Sequence, residues 1–195
     1  MILYLSIIGV CWLIISGIVT LIFWQPVWQV VLWTLLAVVL VMAVDGVTAT
    51  LARLSPPPKD SKFFEVSQKE KNCYEKWHIR KWKDKVPEIG HFTGFRKNKL
   101  DDPKSAAYIE RFLLESRYGE IGHLVSCLTG GLIFLLQLIP FVPCYWWMVC
   151  IGVVVVNALL NLPSYVILRY NYYKLKILHK SVLKKEQKQT KIDAE

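Results

Sequence analysis

A chain of 195 residues, 54% of them hydrophobic and with a positive mean hydropathy, is typical of a single membrane-embedded domain rather than of a soluble enzyme. Its 24 Lys and Arg exceed its 15 Asp and Glu, and the net charge of +9 favours anionic lipid headgroups or phosphorylated small molecules as partners. We expect no nucleic-acid partner, since the sequence has no recognisable nucleic-acid-binding module. The five cysteines show no metal-ligand spacing, so we predict no metal site.

Four apolar stretches are long enough to cross a bilayer, and their bodies contain no Lys or Arg: Ile2–Phe23, Val27–Val44, Ile121–Ile139 and Tyr145–Leu168. All 24 basic residues fall either in the middle loop or in the C-terminal tail, and the two short connections between neighbouring stretches contain none. Because basic segments stay on the cytoplasmic side, both termini and the middle loop are predicted to be cytoplasmic in a multi-pass protein of the cell membrane.

We therefore predict an all-α membrane protein whose four transmembrane helices form two hairpins within one domain. The first hairpin covers residues 1–45, a cytoplasmic loop residues 46–119, the second hairpin residues 120–168, and a basic tail residues 169–195. Within the loop, Phe63–Lys85 reads as an amphipathic helix lying on the membrane, because its aromatic residues fall on one face and basic residues surround them. This helix either anchors the loop to the membrane surface or covers an active site.

The stretch from Asp102 to His123 predicts a helix that runs from water into the bilayer. Asp102 is a suitable N-cap, Pro103 suits the first helical position, and no further proline occurs before Pro140. Ionisable side chains crowd the end of this stretch next to the apolar run, where they are costly unless they have a use. They are Arg111, Glu115, Arg117, Glu120 and His123.

These boundary residues suggest a catalytic group. A histidine is a suitable general base near neutral pH, and Glu120, one helical turn before His123, is placed to orient the imidazole ring. Arg117 is able to hold a phosphate or a developing oxyanion. The alternative is that the charged groups merely extend from the membrane boundary to water. The sequence contains no P-loop, no GxGxxG and no HExxH motif.

The fourth apolar stretch contains a polar stripe formed by Asn157, Asn161 and Ser164. This stripe serves either helix–helix hydrogen bonding or contact with a substrate headgroup. Asp45, at the end of the second stretch, is either an ordinary helix-end residue or part of a polar site. Arg169 and Asn171 follow at the predicted cytoplasmic boundary.

Three segments together resemble the glycosyl-4,4'-diaponeurosporenoate acyltransferase family of bacterial membrane proteins: KWKDKVPE at 81–88, FLLESRYGEIGH at 112–123 and NLPSYVILRYN at 161–171. The chain length, the four spans and the order of the segments are also similar to that family. The resemblance implies transfer of a fatty acyl group to a sugar hydroxyl of a glycosylated carotenoid-like lipid or of another membrane glycolipid.

With this resemblance, the predicted catalytic residues are His123, Glu120, Glu115 and Arg117. The predicted substrate-binding residues are Lys83, Asp84, Glu88, Asn161, Arg169 and Asn171, of which Asp84 and Glu88 depend on the resemblance alone. The expected partners are membrane lipids, a glycolipid acceptor and an acyl donor, namely acyl-CoA or an acyl carrier protein, with no bound cofactor. The oligomeric state is left open, with a homo-oligomer among the options. Two other classes of protein also remain: a membrane methyltransferase, and a non-enzymatic scaffold or transporter subunit.

Overall fold

The computed structural model describes residues 2–54, 61–86 and 100–192, and every regular element within those ranges is helical. The α-helices are α1 (Ile2–Phe23), α2 (Val27–Leu54), α3 (Gln68–Lys76), α4 (Ile79–Trp82), α5 (Ala106–Thr129) and α6 (Trp146–Ile192). Short 3-10 helices cover Lys62–Phe64, Lys83–Lys85 and Gly130–Leu138.

Four helical segments in the described part of the chain are long and apolar enough to span a membrane: Ile2–Phe23, Val27–Leu54, Ala106–Leu138 and Trp146–Ile192. The all-helical class is therefore confirmed, and four spans remain compatible with a multi-pass membrane protein. The hairpin arrangement, the single-domain organisation and the cytoplasmic orientation stay predictions.

The second and fourth membrane-spanning helices, α2 and α6, extend beyond their predicted ends. Helix α2 continues ten residues past Val44, and the Thr48 and Thr50 hydroxyls donate hydrogen bonds to carbonyls of the preceding turn. Its end at Leu54 fits the sequence, because the prolines that begin at Pro56 disfavour helical backbone. Helix α6 runs through Pro163 and well past the apolar stretch, to Ile192.

Helix α5 begins later than predicted. The residues from Asp101 to Ser105 are not helical and include a turn at Pro103 and Lys104, and the Ser105 hydroxyl accepts a hydrogen bond from the Tyr108 amide at 3.2 Å. Asp102 instead accepts from the Lys104 amide at 3.3 Å. The predicted cap at Asp102 is thus wrong, because Ser105 satisfies a first-turn donor and Asp102 stabilises the preceding turn.

The predicted single helix over Phe63–Lys85 is also wrong, since the segment consists of short helices. Ser67 caps α3 by accepting from the Glu70 amide at 3.2 Å. The break after α3 is at His78, which has left-handed backbone (φ 52°) and directly precedes α4. Left-handed backbone ends a right-handed helix, so the aromatic residues on either side of His78 do not share one helical face. Whether the segment lies on a membrane stays a prediction.

The chain divides into two compact units. The first unit comprises Met1–Ser55 and Ile121–Pro163, and its core includes Val30, Ala37 and Trp146, none of them exposed. The Trp146 indole donates to the Ile133 carbonyl at 2.9 Å, so its polar atom is satisfied inside this core.

The second unit comprises Pro56–Glu120 and Ser164–Glu195. Its core joins α3 and α4 to α6 through Tyr74, Ile79, Ile167 and Tyr170. The rings of Tyr74 and Tyr170 meet edge to face, with centroids 6.5 Å apart. Each unit therefore has a hydrophobic core of its own.

Candidate active site

The first unit contains a cluster of polar side chains around His123, in which an amide side chain contacts the imidazole ring. Helix α5 supplies His123, and α6 supplies Asn161, whose Oδ1 atom lies 2.8 Å from Nδ1 of the histidine ring. Asn161 is buried and His123 is half-buried. The hydrogen bond therefore fixes the orientation of an imidazole within a largely apolar helical unit.

A chain of hydrogen bonds determines which nitrogen of His123 carries the proton. The Ser126 carbonyl only accepts, so Asn157 donates its Nδ2 to it (3.0 Å) and presents Oδ1 to Asn161. Asn161 then donates Nδ2 to that Oδ1 at 2.7 Å, which leaves its own Oδ1 facing His123. Because an amide oxygen only accepts, Nδ1 of His123 must be the donor, and in the neutral ring the lone pair resides on Nε2.

Asp45 of α2 completes this cluster. The Asn161 Nδ2 atom approaches Asp45 Oδ2 at 3.5 Å, and the Thr48 hydroxyl lies 3.4 Å from the Ser126 hydroxyl. The Asp45 Oδ1 atom is buried and has no hydrogen-bond partner among the described residues. An unpaired buried carboxylate oxygen is costly, which makes it a candidate to accept a hydrogen bond from a ligand.

An apolar groove leads away from the polar cluster within the same unit. It has an empty volume of about 400 Å³ including its open mouth, and α1, α2 and α6 line it. Asp45, Asn157 and Tyr4 supply the polar groups of its lining, and the other lining side chains are apolar apart from Cys11 and the Trp12 indole. The Trp12 indole N–H is already hydrogen-bonded to the Val31 carbonyl at 3.2 Å.

The second unit contains a different cluster, centred on Arg169 of α6. The guanidinium pairs with both carboxylate oxygens of Glu70, at 2.5 and 2.9 Å, and contacts Glu120 Oε2 at 3.4 Å. It also donates to the carbonyls of Phe63 (2.9 Å) and Glu65 (3.5 Å). These five hydrogen bonds use all five donors of an arginine side chain, so none is left for a ligand.

Aromatic side chains surround the cluster centred on Arg169. The Arg117 guanidinium donates to the Tyr172 hydroxyl at 2.6 and 3.1 Å and lies over the Phe64 ring. The Tyr74 hydroxyl donates to Glu70. Partial burial by itself would raise the pKa of the Glu70 carboxyl, but the bonds from Arg169 and Tyr74 outweigh burial and hold this pKa below its ordinary value. Burial and the bond to Glu70 raise the pKa of Tyr74, which keeps it a donor.

Comparison with known families identifies the relatives of this chain. The sequence model of the glycosyl-4,4'-diaponeurosporenoate acyltransferase family matches residues 60–181, which is well over half of the 195 residues. The chain belongs to this family. The match confirms the resemblance drawn from three sequence segments, and the family name describes an acyltransferase, which supports an enzymatic function. Comparisons with curated proteins and with solved structures gave no match.

The structure divides the predicted site residues of this family member between the two units. His123 and Asn161 meet in the first unit, whereas Glu120 and Arg169 meet in the second. The Nδ1 atom of His123 therefore has Asn161 as its partner, where the sequence had suggested orientation by Glu120. Glu120 is fully buried, and its Oε1 atom has no hydrogen-bond partner among the described residues.

The remaining predicted residues lie in the second unit or outside the described residues. Lys83 is half-buried, with its Nζ atom 3.5 Å from Asn171 Oδ1 and 3.8 Å from Asp84, whose side chain is 60% exposed. Glu115 is half-buried on α5. Glu88 lies outside the described residues. The roles predicted for these residues stay predictions.

Two carboxylates of the clusters were not among the predicted site residues. Asp45 ends an apolar stretch, and the sequence leaves open whether it faces a polar site. Glu70 is not predictable from the sequence, because a single Glu among surface lysines gives no signal of a partner 99 residues away. A buried arginine in an apolar helix was the available signal, since such a charge requires a carboxylate partner.

Proposed function

We propose that the chain transfers a fatty acyl group from a thioester to a sugar hydroxyl of a membrane glycolipid, with His123 as the general base. The observation that supports this most is the hydrogen-bond chain from Ser126 through Asn157 and Asn161, which assigns the proton to Nδ1 and the lone pair to Nε2 of His123. The family adds the reaction class, since its members are named as acyltransferases for a glycosylated carotenoid acid.

The proposed reaction consumes no proton and leaves none behind. Nε2 of His123 takes the proton of the acceptor hydroxyl as its oxygen attacks the thioester carbonyl carbon, which forms the new C–O bond. The tetrahedral intermediate then collapses, the C–S bond breaks, and the thiolate takes the proton back from Nε2. The products are an ester and a free thiol, and the histidine returns to its starting state.

The amide network suits this role because it orients the ring without adding a charge. Asn161 accepts from Nδ1–H in both the neutral and the protonated ring, so the hydrogen bond persists when the imidazolium forms. The Oδ1 atom of Asp45, which has no hydrogen-bond partner in the described part of the chain, is available to accept from a hydroxyl of the acceptor sugar. The substrate-binding roles of Lys83 and Arg117 stay predictions, and we give Arg169 a structural role because its donors are fully used.

The experiment is acyl transfer by purified protein in detergent or in liposomes, with palmitoyl-CoA as donor and a glucosylated carotenoid acid as acceptor. His123→Ala should lower turnover per folded molecule by roughly 10²–10⁴-fold, the usual contribution of a well-placed base. The matched control is His179→Ala, a histidine on α6 outside the polar clusters, which should retain turnover. Unchanged turnover in folded His123→Ala protein would reject the general-base assignment.

A further inference from the structure

The apolar groove of the first unit begins at the candidate active site itself. Asp45 and Asn157 line the groove and also belong to the hydrogen-bond network of His123. On α1 the lining extends from Tyr4 to Ile15, eleven residues, which is about 16 Å at a rise of 1.5 Å per residue.

The groove is polar at one end only. Asp45 and Tyr4 lie near the polar cluster, whereas the far lining on α1, α2 and α6 is formed by Ile15, Val38 and Val153. A Cβ atom added at Gly152 would lie 3.0–3.1 Å from the Ile15 side chain. Ile15 therefore packs directly on the backbone of α6 next to Val153, away from the Asp45 end of the groove.

This distribution of polarity distinguishes between the two apolar molecules of the proposed reaction. In an acyl donor the alkyl chain is attached directly to the reacting carbonyl carbon. In a glycolipid acceptor a whole sugar ring separates the reacting hydroxyl from the apolar tail. A groove that becomes apolar directly beyond Asp45 and Asn157, with no polar stretch of sugar size in its lining, matches the donor and does not match the acceptor.

We propose that this groove binds the fatty acyl chain of the donor thioester and that Ile15 sets the chain length it accepts. This proposal rests on the proposed function. The carbonyl end lies at the Asp45 and Asn157 end, and the terminal methyl group lies against Ile15. Burial of the methylenes supplies the binding free energy. The sugar of the acceptor then approaches the carbonyl from outside the groove, on the side of the polar cluster.

Chain-length preference tests this proposal. Ile15→Trp fills the far end, so the ratio of kcat/KM for palmitoyl-CoA to that for octanoyl-CoA should fall by roughly tenfold or more, because a misfitted methylene costs about 10–200-fold. Gly152→Ala pushes Ile15 by a few tenths of an ångström and should shift the ratio in the same direction by less. Ile15→Ala should raise the relative rate with stearoyl-CoA.

The matched control is Ile14, the neighbouring residue on α1, whose side chain is 54% exposed and does not line the groove. Ile14→Trp and Ile14→Ala should leave the chain-length ratio at the wild-type value. If the Ile15 and Ile14 variants have the same ratio, the groove is ordinary lipid-facing surface and the proposal is overturned. If the Ile15 variants instead change the preference for the length of the acceptor tail, the groove belongs to the acceptor and the proposal is likewise overturned.

A second measurement separates this proposal from the proposed function. Palmitoyl-CoA with a diazirine at the terminal carbon is bound to folded His123→Ala protein, irradiated, and the adducts are mapped by mass spectrometry. Adducts on Ile15, Val38 or Val153 support the groove assignment, and adducts confined to the exposed face that carries Ile14 overturn it. If the wild-type protein transfers no acyl group from any acyl-CoA, the proposed function fails with this donor, while the adduct map still decides whether the groove binds the chain.

Discussion

The two polar clusters of this protein differ in charge and in how completely their hydrogen bonds are satisfied. In the first unit, neutral amides orient His123, and the nearby Asp45 keeps a buried oxygen without a partner among the described residues. In the second unit, Arg169 joins two carboxylates and two carbonyls and uses all five of its donors. A groove opens beside the first cluster.

The difference indicates which cluster holds the structure together and which is available for chemistry. A fully paired arginine in a buried position stabilises the segments it joins but has nothing to offer a substrate without losing those bonds. A network that ends in a lone pair on Nε2, and in a carboxylate oxygen that has no partner among the described residues, keeps acceptors that a ligand could use. The sequence indicates the cluster around Arg169 more clearly, because ionisable residues near apolar helices are conspicuous, yet the cluster around His123 is the better candidate for catalysis.

Removing Arg169 should produce the largest effect on stability and would test the structural half of the comparison. Arg169→Met leaves Glu70 and the fully buried Glu120 without their cation, and breaking one partner of a buried ion pair typically costs about 3–5 kcal/mol of the free energy of unfolding. Thermal unfolding in detergent measures this loss. Lys180→Met, an exposed cation on the same helix, should cost less than about 1 kcal/mol.

Turnover per folded molecule of the same Arg169→Met variant is a second test of the structural role. Arg169→Met protein that is folded at low temperature should transfer acyl groups at close to the wild-type rate. A normal melting temperature together with lost turnover would contradict the structural role and favour a direct contact between Arg169 and a substrate.

Asp45→Asn should produce a smaller effect, confined to one substrate. The introduced amide would keep an oxygen for Asn161, but its nitrogen would replace the unpaired Oδ1 of Asp45 and could not accept from the acceptor sugar. Because a hydrogen bond to a charged group contributes about 1.5–3 kcal/mol, KM for the glycolipid should rise by roughly tenfold or more. KM for palmitoyl-CoA should stay unchanged, and Asp102→Asn, in the turn before α5, serves as the control. An equal rise in both KM values would contradict the assignment of Asp45 to the acceptor.

The sequence predicted the elements of the fold better than the partners of its polar residues. The bounds of α1 agree with the first apolar stretch, because one uninterrupted apolar run followed by Pro26 leaves few alternatives. The sequence predicts the N-cap of α5 at Asp102 rather than at Ser105, since both residue types are suitable caps and only the backbone geometry selects between them.

The partners were harder to predict, because helix periodicity relates only residues of the same helix. It places Glu120 one turn from His123, and this proximity suggested that the two act as a pair. Their partners Arg169 and Asn161 both come from α6, 49 and 38 residues away in the chain. The polar stripe that contains Asn161 was visible in the sequence, but whether it served helix packing or a substrate depended on the histidine it faces.

The smallest expected effect concerns pH and the Glu70 carboxylate. Because the pKa of Glu70 is lower in the folded protein than its ordinary value of 4.5, the ionised carboxylate stabilises the fold above that value, and this contribution is lost as the pH falls through the ordinary value and below it.

Glu70→Gln should therefore lower the free energy of unfolding by about 1 kcal/mol at neutral pH, a modest loss since the amide oxygen still accepts from Arg169 or Tyr74. The difference between the two proteins should shrink as the pH falls below 4.5, which denaturant unfolding at neutral and at acidic pH measures. Glu75→Gln, at an exposed carboxylate paired with Lys71 at 3.6 Å, should show only a few tenths of a kcal/mol at either pH. A pH-independent difference between wild type and Glu70→Gln would mean that the shape of the Glu70 side chain, rather than its charge, stabilises the second unit.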